Sequence, residues 1–174
     1  VHGCRRYIIT FEDIHTRFAF AWGTTSHASL AAKEFFEYCL MVFPYPFVNV
    51  LTDNGSEFMK HFSRKLNDLH LVHYHTYPKT PKMNAHCERF NRTIQEEFVD
   101  FHANSLIDPS SFNRKLIPWL VWYNTERPHW GLNLKSPMQF MLIHSSARPE
   151  KSNMWWTNTC SWHRVIHCYI ICLN

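Results

Sequence analysis

Two carboxylates stand in unlike settings in this chain. Asp53 follows the apolar run Phe47-Val48-Asn49-Val50-Leu51-Thr52 and opens the turn Asn54-Gly55-Ser56-Glu57-Phe58. Glu88 lies within Asn84-Ala85-His86-Cys87-Glu88-Arg89-Phe90-Asn91-Arg92, which reads as a helix, with 34 residues between the two acids. A carboxylate at a strand end and another on a helix can meet at the edge of one sheet and hold divalent cations, the arrangement that cutting and joining of phosphodiesters requires. Hard cations prefer carboxylates and water to thiolates. Asn54-Gly55 lets the chain turn sharply beside Asp53 and leaves room for a phosphate.

Basic and amide groups cluster near the second acid. Asn84, Glu88, Arg92 and Gln95 share one helix face at spacings of four, four and three, and Arg89 is offset by one. Lys79 and Lys82 precede them in a loop broken by Pro78 and Pro81. Such groups beside a metal site can grip phosphates near a scissile bond. The plain alternative is a solvated helix face and a soluble loop. Glu57, one turn after Asp53, is given no metal role.

The elements that must position these residues follow from pattern. Residues 5–11 read as a strand, 13–17 as a polar turn and 18–23 as the returning strand of a hairpin. A helix is expected from Ser29, ended by Pro44 and Pro46. A strand over 47–52 delivers Asp53, Ser56 caps a helix running to about Asp68, and 70–74 is a short strand. Asn84 to about His102 is helical. Asp108-Pro109 gives an N-cap and first-turn proline for a helix to about Asn124, kinked at Pro118. Trp119, Trp122 and Tyr123 read as core rather than a base-stacking platform, and Arg127-Pro128-His129 as a turn that pins this helix to the body. Ser136-Pro137 starts a short last helix. This order is α/β, with helices covering a mixed sheet.

Composition sets the class. Of 174 residues, 45% are apolar and 18% charged, which favours a globular domain over disorder. The net charge of +4 is compatible with nucleic acid without establishing it. Six cysteines show no spaced disulfide framework, so a reducing compartment is expected. No signal peptide or bilayer-spanning run is visible. Residues 154–174 concentrate Trp, Cys and His without clear periodicity and read as a tail without a strand or helix frame.

Four segments together resemble the catalytic core of insertion-sequence transposases and retroviral integrases, within the ribonuclease H-like superfamily. They are Arg6-Tyr7-Ile8-Ile9-Thr10-Phe11-Glu12-Asp13 with Thr16-Arg17-Phe18; Leu51-Thr52-Asp53-Asn54-Gly55-Ser56-Glu57-Phe58; Lys79-Thr80-Pro81 through Asn84 to Glu88-Arg89-Phe90-Asn91-Arg92-Thr93; and Trp122-Tyr123-Asn124-Thr125-Glu126-Arg127-Pro128-His129 with Leu132, Ser136-Pro137 and Phe140. The resemblance implies a ribonuclease H-like mixed sheet flanked by helices, a partial integrase core over residues 1–143, and a C-terminal tail, 144–174, that is non-native or disordered. It implies an Asp, Asp, Glu triad binding Mg²⁺ (or Mn²⁺). Asp53 matches the second Asp and Glu88 the Glu, at a spacing one residue shorter than usual. The first strand and its Asp would fall before Val1, and Asp13 matches a turn position the family does not use for metal.

The resemblance therefore implies DNA cleavage and strand transfer as catalytic and metal residues Asp53 and Glu88 would perform it, impaired in this fragment, with Lys79, Lys82, Asn84, Arg89 and Arg92 on DNA. Transposon-end and target DNA, and further copies on that DNA, are the expected partners, in a bacterial cytoplasm at the nucleoid and without a membrane. Rival readings are a catalytically inactive DNA-binding or assembly module, a hybrid-cleaving ribonuclease H-type enzyme and a pseudogene remnant. Cys160, His163, His167, Cys168 and Cys172 have zinc-ligand gaps. The family's zinc module precedes the core, however, so accidental or out-of-frame sequence is the preferred account of the tail.

Overall fold

The computed structural model describes residues 5–75, 81–145 and 165–173, with side chains described over 5–75 and 87–144. Strand β1 (Arg6–Asp13) turns into β2 (Ala19–Thr24), and helix α1 (Ser29–Val42) follows. Strand β3 (Asn49–Thr52) leads through a 3₁₀ turn, Ser56–Phe58, into α2 (His61–Asp68) and then β4 (Val72–His75). Helix α3 (Pro81–Ile94) runs on through a π-helical turn, Gln95–Val99, into the short α4 (Asp100–His102). Helices α5 (Pro109–Thr125) and α6 (Pro137–Ser145) come next, and β5 (Val165–Leu173) last.

The five strands lie in the order β2-β1-β5-β3-β4. β5 pairs antiparallel with β1 and parallel with β3, and β3 pairs parallel with β4. The segment expected to lack any strand or helix frame thus fills the middle of the sheet. Val165-Ile166-His167-Cys168-Tyr169-Ile170-Ile171-Cys172-Leu173 is rich in β-branched and aromatic types, as a central strand flanked on both sides requires. Its lack of alternation, and the neighbouring Trp and Cys, hid that signal. Cys160 and His163, named as zinc-type ligands, lie outside the described residues.

One face of the sheet carries the aromatic core. Phe11 and Phe20 project there with Phe35 and Phe36 of α1 and Phe62 of α2, all buried, and Phe36 meets both Phe47 and Phe62 edge to face. On the other face Thr10 Oγ1 donates to Asn91 Oδ1 of α3 (2.8 Å). Tyr123 of α5 is buried against Phe90 of α3, Trp119 is partly buried, and Trp122 remains 39% exposed, so only part of that aromatic cluster is core.

Local signals explain most boundaries. Asp108 caps α5 by accepting from the Ser110 and Ser111 amides, with Pro109 in the first turn. Ser136 and Gln139 cap α6 reciprocally: Gln139 Oε1 accepts from Ser136 N, and Ser136 Oγ accepts from Gln139 N. Ser56 does not cap α2. The chain after Phe58 passes through Lys60 at φ 46°, left-handed backbone that splits the expected helix in two. The loop expected around Tyr77–Met83 yields to helix from Pro81, where a proline suits the first turn.

The outer edge of β2 is covered rather than open. Asn113 of α5 accepts from Gly23 N and donates to Gly23 O; eleven residues on, Asn124 does the same to Ala19. Each amide side chain supplies the donor and acceptor that a neighbouring strand would supply, which removes an unpaired edge. Gly23 is needed for the close approach, since a Cβ there would sit 2.8 Å from Phe112.

Candidate active site

β3 is a buried four-residue strand that ends at Thr52, so the chain can leave the sheet only at Asp53. Asp53 is held from two sides. Its Oδ1 accepts from Gly55 N at 2.9 Å, closing a tight turn. Its carbonyl accepts from Thr52 Oγ1 (2.9 Å) and lies 3.3 Å from His75 Nδ1 of β4. Thr52 Oγ1 also shares a 2.9 Å hydrogen bond with His73 Nε2, and the two imidazoles pack at a tilt of 47° with centroids 4.2 Å apart. Burial, with His75 beside it, pushes His73 down to about 4, so this ring is neutral at physiological pH. Neither histidine was singled out by sequence reasoning; alternation in Val72-His73-Tyr74-His75 could have placed both on one strand face.

Glu88 sits on α3 one turn before Asn91 and is exposed. Cys87 and Phe90 flank it and are buried, which turns Glu88 and Arg89 outward. The Thr10–Asn91 bond fixes where α3 crosses the sheet. Thr10 is level with Tyr169 of β5, and Cys168, one residue back, is level with Thr52. Asp53, one past Thr52, therefore closes the same rung, two strand spacings or ~10 Å from Thr10. Glu88 lies ~5 Å along the helix from Asn91. The turn that carries Asp53 and the point where Thr10 anchors the helix that carries Glu88 thus lie at the level of one rung. Among the described residues no three His, Cys, Asp or Glu side chains form a metal-sized cluster. Asp53 and Glu88 are hard carboxylates, a chemistry that would suit Mg²⁺, which takes one or two carboxylates and keeps its waters.

The surrounding cations differ in status. Arg92 is exposed and its Nε bonds Glu96 Oε1 at 2.7 Å. Arg89 is exposed and lies within electrostatic reach of Glu12. Lys79 lies outside the described residues, and Lys82 and Asn84 are placed by their backbone in the first turn of α3.

Glu12 is a residue the sequence did not mark. It is the penultimate residue of β1, on the α3 side, is 5% exposed, and its Oε2 has no hydrogen-bond partner among the described residues. Burial pushes its carboxyl up to about 8, against the pull of Arg17, 3.9 Å away, and of Arg89. Asp13 faces differently, as a turn residue: its Oδ2 accepts from Thr16 N and Thr16 Oγ1. The Arg127-Pro128-His129 segment acts as the expected pin. Arg127 pairs with Glu97 in the π-helical turn after α3, and His129 packs edge-on against Tyr123 at 4.9 Å.

Comparison with known proteins agrees with the fold. Residues 70–137 match the Integrase core domain family. The chain is 28% identical over 152 residues to the ORF3 protein of Spiroplasma virus SpV1-C74, which carries an integrase name, covering 78% of this chain and 41% of that one. It is 28% identical over 143 residues to the transposase for insertion sequence element IS904 of Lactococcus lactis, covering 80% and 56%. The chain thus spans about half the length of these relatives. Among solved structures, the catalytic core domain of BIV integrase superposes with TM-score 0.61 at 15% identity, over 80% of this chain and 87% of that one. The HTLV-2 integrase catalytic core in complex with magnesium gives 0.57 at 16%, over 75% and 81%. No helix among the described residues is long and apolar enough to cross a membrane. Over residues 70–137 the chain matches the integrase core domain, and its fold is the ribonuclease H-like fold of retroviral integrase catalytic cores.

Proposed function

We propose that this chain is the DNA-handling core of an integrase or transposase, with Asp53 and Glu88 as carboxylate ligands of Mg²⁺ or Mn²⁺. The observation that carries the reading is the shared rung: Asp53 follows the end of β3 at the level where Thr10 anchors the Glu88 helix. A bound cation supplies charge neutralisation at a phosphodiester under in-line attack. Asp53 would hold its share of that site with one oxygen tied to Gly55 N. Glu88, exposed on α3, brings the second carboxylate from the helix side.

Lys79, Lys82, Asn84, Arg89 and Arg92 lie along or just before α3, and we assign them to phosphate and base contacts on transposon-end and target DNA. Their contribution is electrostatic, so affinity for duplex should fall steeply with salt. Residues 1–143 act as the core, several copies assemble on the DNA, and the working compartment is a bacterial cytoplasm at the nucleoid. With two carboxylates as ligands, a bound Mg²⁺ would keep most of its waters.

The test is a titration of the full chain with Mn²⁺, read by electron paramagnetic resonance, beside a Mg²⁺-dependent nicking assay on duplex DNA. Asp53→Asn and Glu88→Gln should each weaken Mn²⁺ binding ~10-fold or more. Parent-like binding by both variants would dismiss the two acids as ligands.

A further inference from the structure

We propose that Glu57, held by His27, is a positioning residue for Asp53. The inference rests on the reading of Asp53 as a cation ligand. Glu57 lies in the 3₁₀ turn four residues after Asp53 and is only 6% exposed. A buried carboxylate is costly unless it is partnered, and an apolar residue would pack such a turn more cheaply. Its partner is His27, whose Nε2 lies 3.3 Å from Glu57 Oε2. The His27 ring rests on Tyr7 of β1, with centroids 5.1 Å apart.

The Glu57 carboxylate lies flat against Gly55. A Cβ on Gly55 would meet the Glu57 carboxylate carbon and Oε1 at 2.5 Å and Oε2 at 2.6 Å. The amide of this same Gly55 donates to Asp53 Oδ1. A continuous series of contacts therefore runs Tyr7, His27, Glu57, Gly55, Asp53, and it fixes which Asp53 oxygen is spent on the protein. The start of α1 fastens the far side of the turn: Ser29 Oγ donates to Met59 O and accepts from Phe62 N. Glu57 neither needs to touch the cation nor takes part in the reaction. It holds the peptide that holds the ligand, as outer-shell partners of metal sites do.

Three readouts on the full chain test this: Mn²⁺ affinity, the Gly55 amide resonance in ¹H–¹⁵N spectra, and the thermal midpoint. Glu57→Ala should weaken Mn²⁺ binding ~10-fold and move the Gly55 amide, while Glu57→Gln, which keeps the shape and a contact to His27, should recover most of both. His27→Ala, at a half-exposed position that puts folding at little risk, should change the same two readouts in the same direction. Parent-like affinity and an unmoved Gly55 amide in both alanine variants would overturn the proposal. So would an affinity loss that follows the thermal midpoint and is not rescued by Gln. Asp53→Asn serves as the control. If it binds Mn²⁺ like the parent, the metal reading itself fails, and the Gly55 amide alone decides whether Glu57 positions the turn.

Discussion

The buried carboxyl of Glu12 should make this protein less stable as pH rises through neutrality. Its ordinary value is 4.5 and burial lifts it to about 8 in the folded chain. Between those limits the folded state binds a proton that the unfolded state has released, so unfolding free energy falls with rising pH. The stabilising neutral form is fully present below 4.5 and its benefit is gone above about 8. Each pH unit inside the window is worth about 1.4 kcal/mol. Two other groups tilt the opposite way at lower pH. Burial holds His73 and His129 down to about 4, so each loses stability as pH drops from 6.5 to 4. Above 6.5 that opposing tilt is small, and Glu12 dominates the interval from 6.5 to 8.

Across that interval the parent should lose about 2 kcal/mol, from 1.5 pH units at 1.4 each. With about 2–4 °C per kcal/mol for a chain of this size, that is a fall of roughly 4–8 °C in thermal midpoint. Glu12→Gln keeps the volume and removes the titration, so its stability should stay flat from pH 6.5 to 8.5. Urea unfolding of both proteins at half-unit steps reads the difference directly. The two should come closest at the acid end and diverge upward, with the Gln variant the more stable at pH 8. Curves that stay parallel over this range would show that Glu12 ionises normally, and would refute the placement of its carboxyl in a dry site between Arg17 and Tyr123.

A proline in the middle strand should unfold the protein. Ile170→Pro removes an amide from β5, where it pairs with Ile9, and hydrogen exchange should find amides 165–173 of the parent protected; rapid exchange there would contradict the sheet order. Asn124→Ala strips Ala19 of its amide and carbonyl partners and should cost ~2–4 kcal/mol in urea unfolding, since both groups are left buried; a loss below ~0.5 kcal/mol would mean water replaces the side chain. Gly55→Ala drives a methyl into the Glu57 carboxylate and should destabilise by ~1–3 kcal/mol, but by clearly less in a Glu57→Ala background, and additive losses in that double-mutant cycle would break the proposed contact.

The legible parts of the sequence were those written in neighbouring residues. Asp108-Pro109 announces α5, Ser136-Pro137 announces α6, and the two ends of the β1–β2 hairpin are set by Asp13, Thr16 and Arg17. Asp53 at a strand end and Glu88 on a helix were both placed on the elements they occupy. What escaped depended on distant residues or on backbone strain. Lys60 at φ 46° has no sequence signature that separates it from an ordinary helical lysine. Asn113 and Asn124 read as polar positions on a helix, and only the fold shows that they face β2 across 90 and 105 residues of chain. Glu12 looks like a solvated strand end until Tyr123 and Arg17 close over it. β5 was hidden because a fully flanked central strand loses the period-two pattern that identifies half-exposed ones.

The two carboxylates of the proposed site are held by unequal means, and that inequality has a consequence. Asp53 is fixed locally, by the Gly55 amide on its carboxylate and by Thr52 and His75 at its carbonyl, all within the β3–β4 half of the sheet. Among the described residues Glu88 has no comparable anchor of its own; its position is inherited from α3, which the Asn91–Thr10 bond and the buried Cys87 and Phe90 seat on the β1 half. Those halves are joined in the sheet through β5, since β1 and β3 each pair with it and not with each other. The distance between the acids is therefore a property of the strand in the middle: whatever strand occupies that place sets the spacing of the rung on which both ligands depend. Metal affinity should respond to changes in β5 that leave every residue of the site untouched, a coupling that follows from strand order alone.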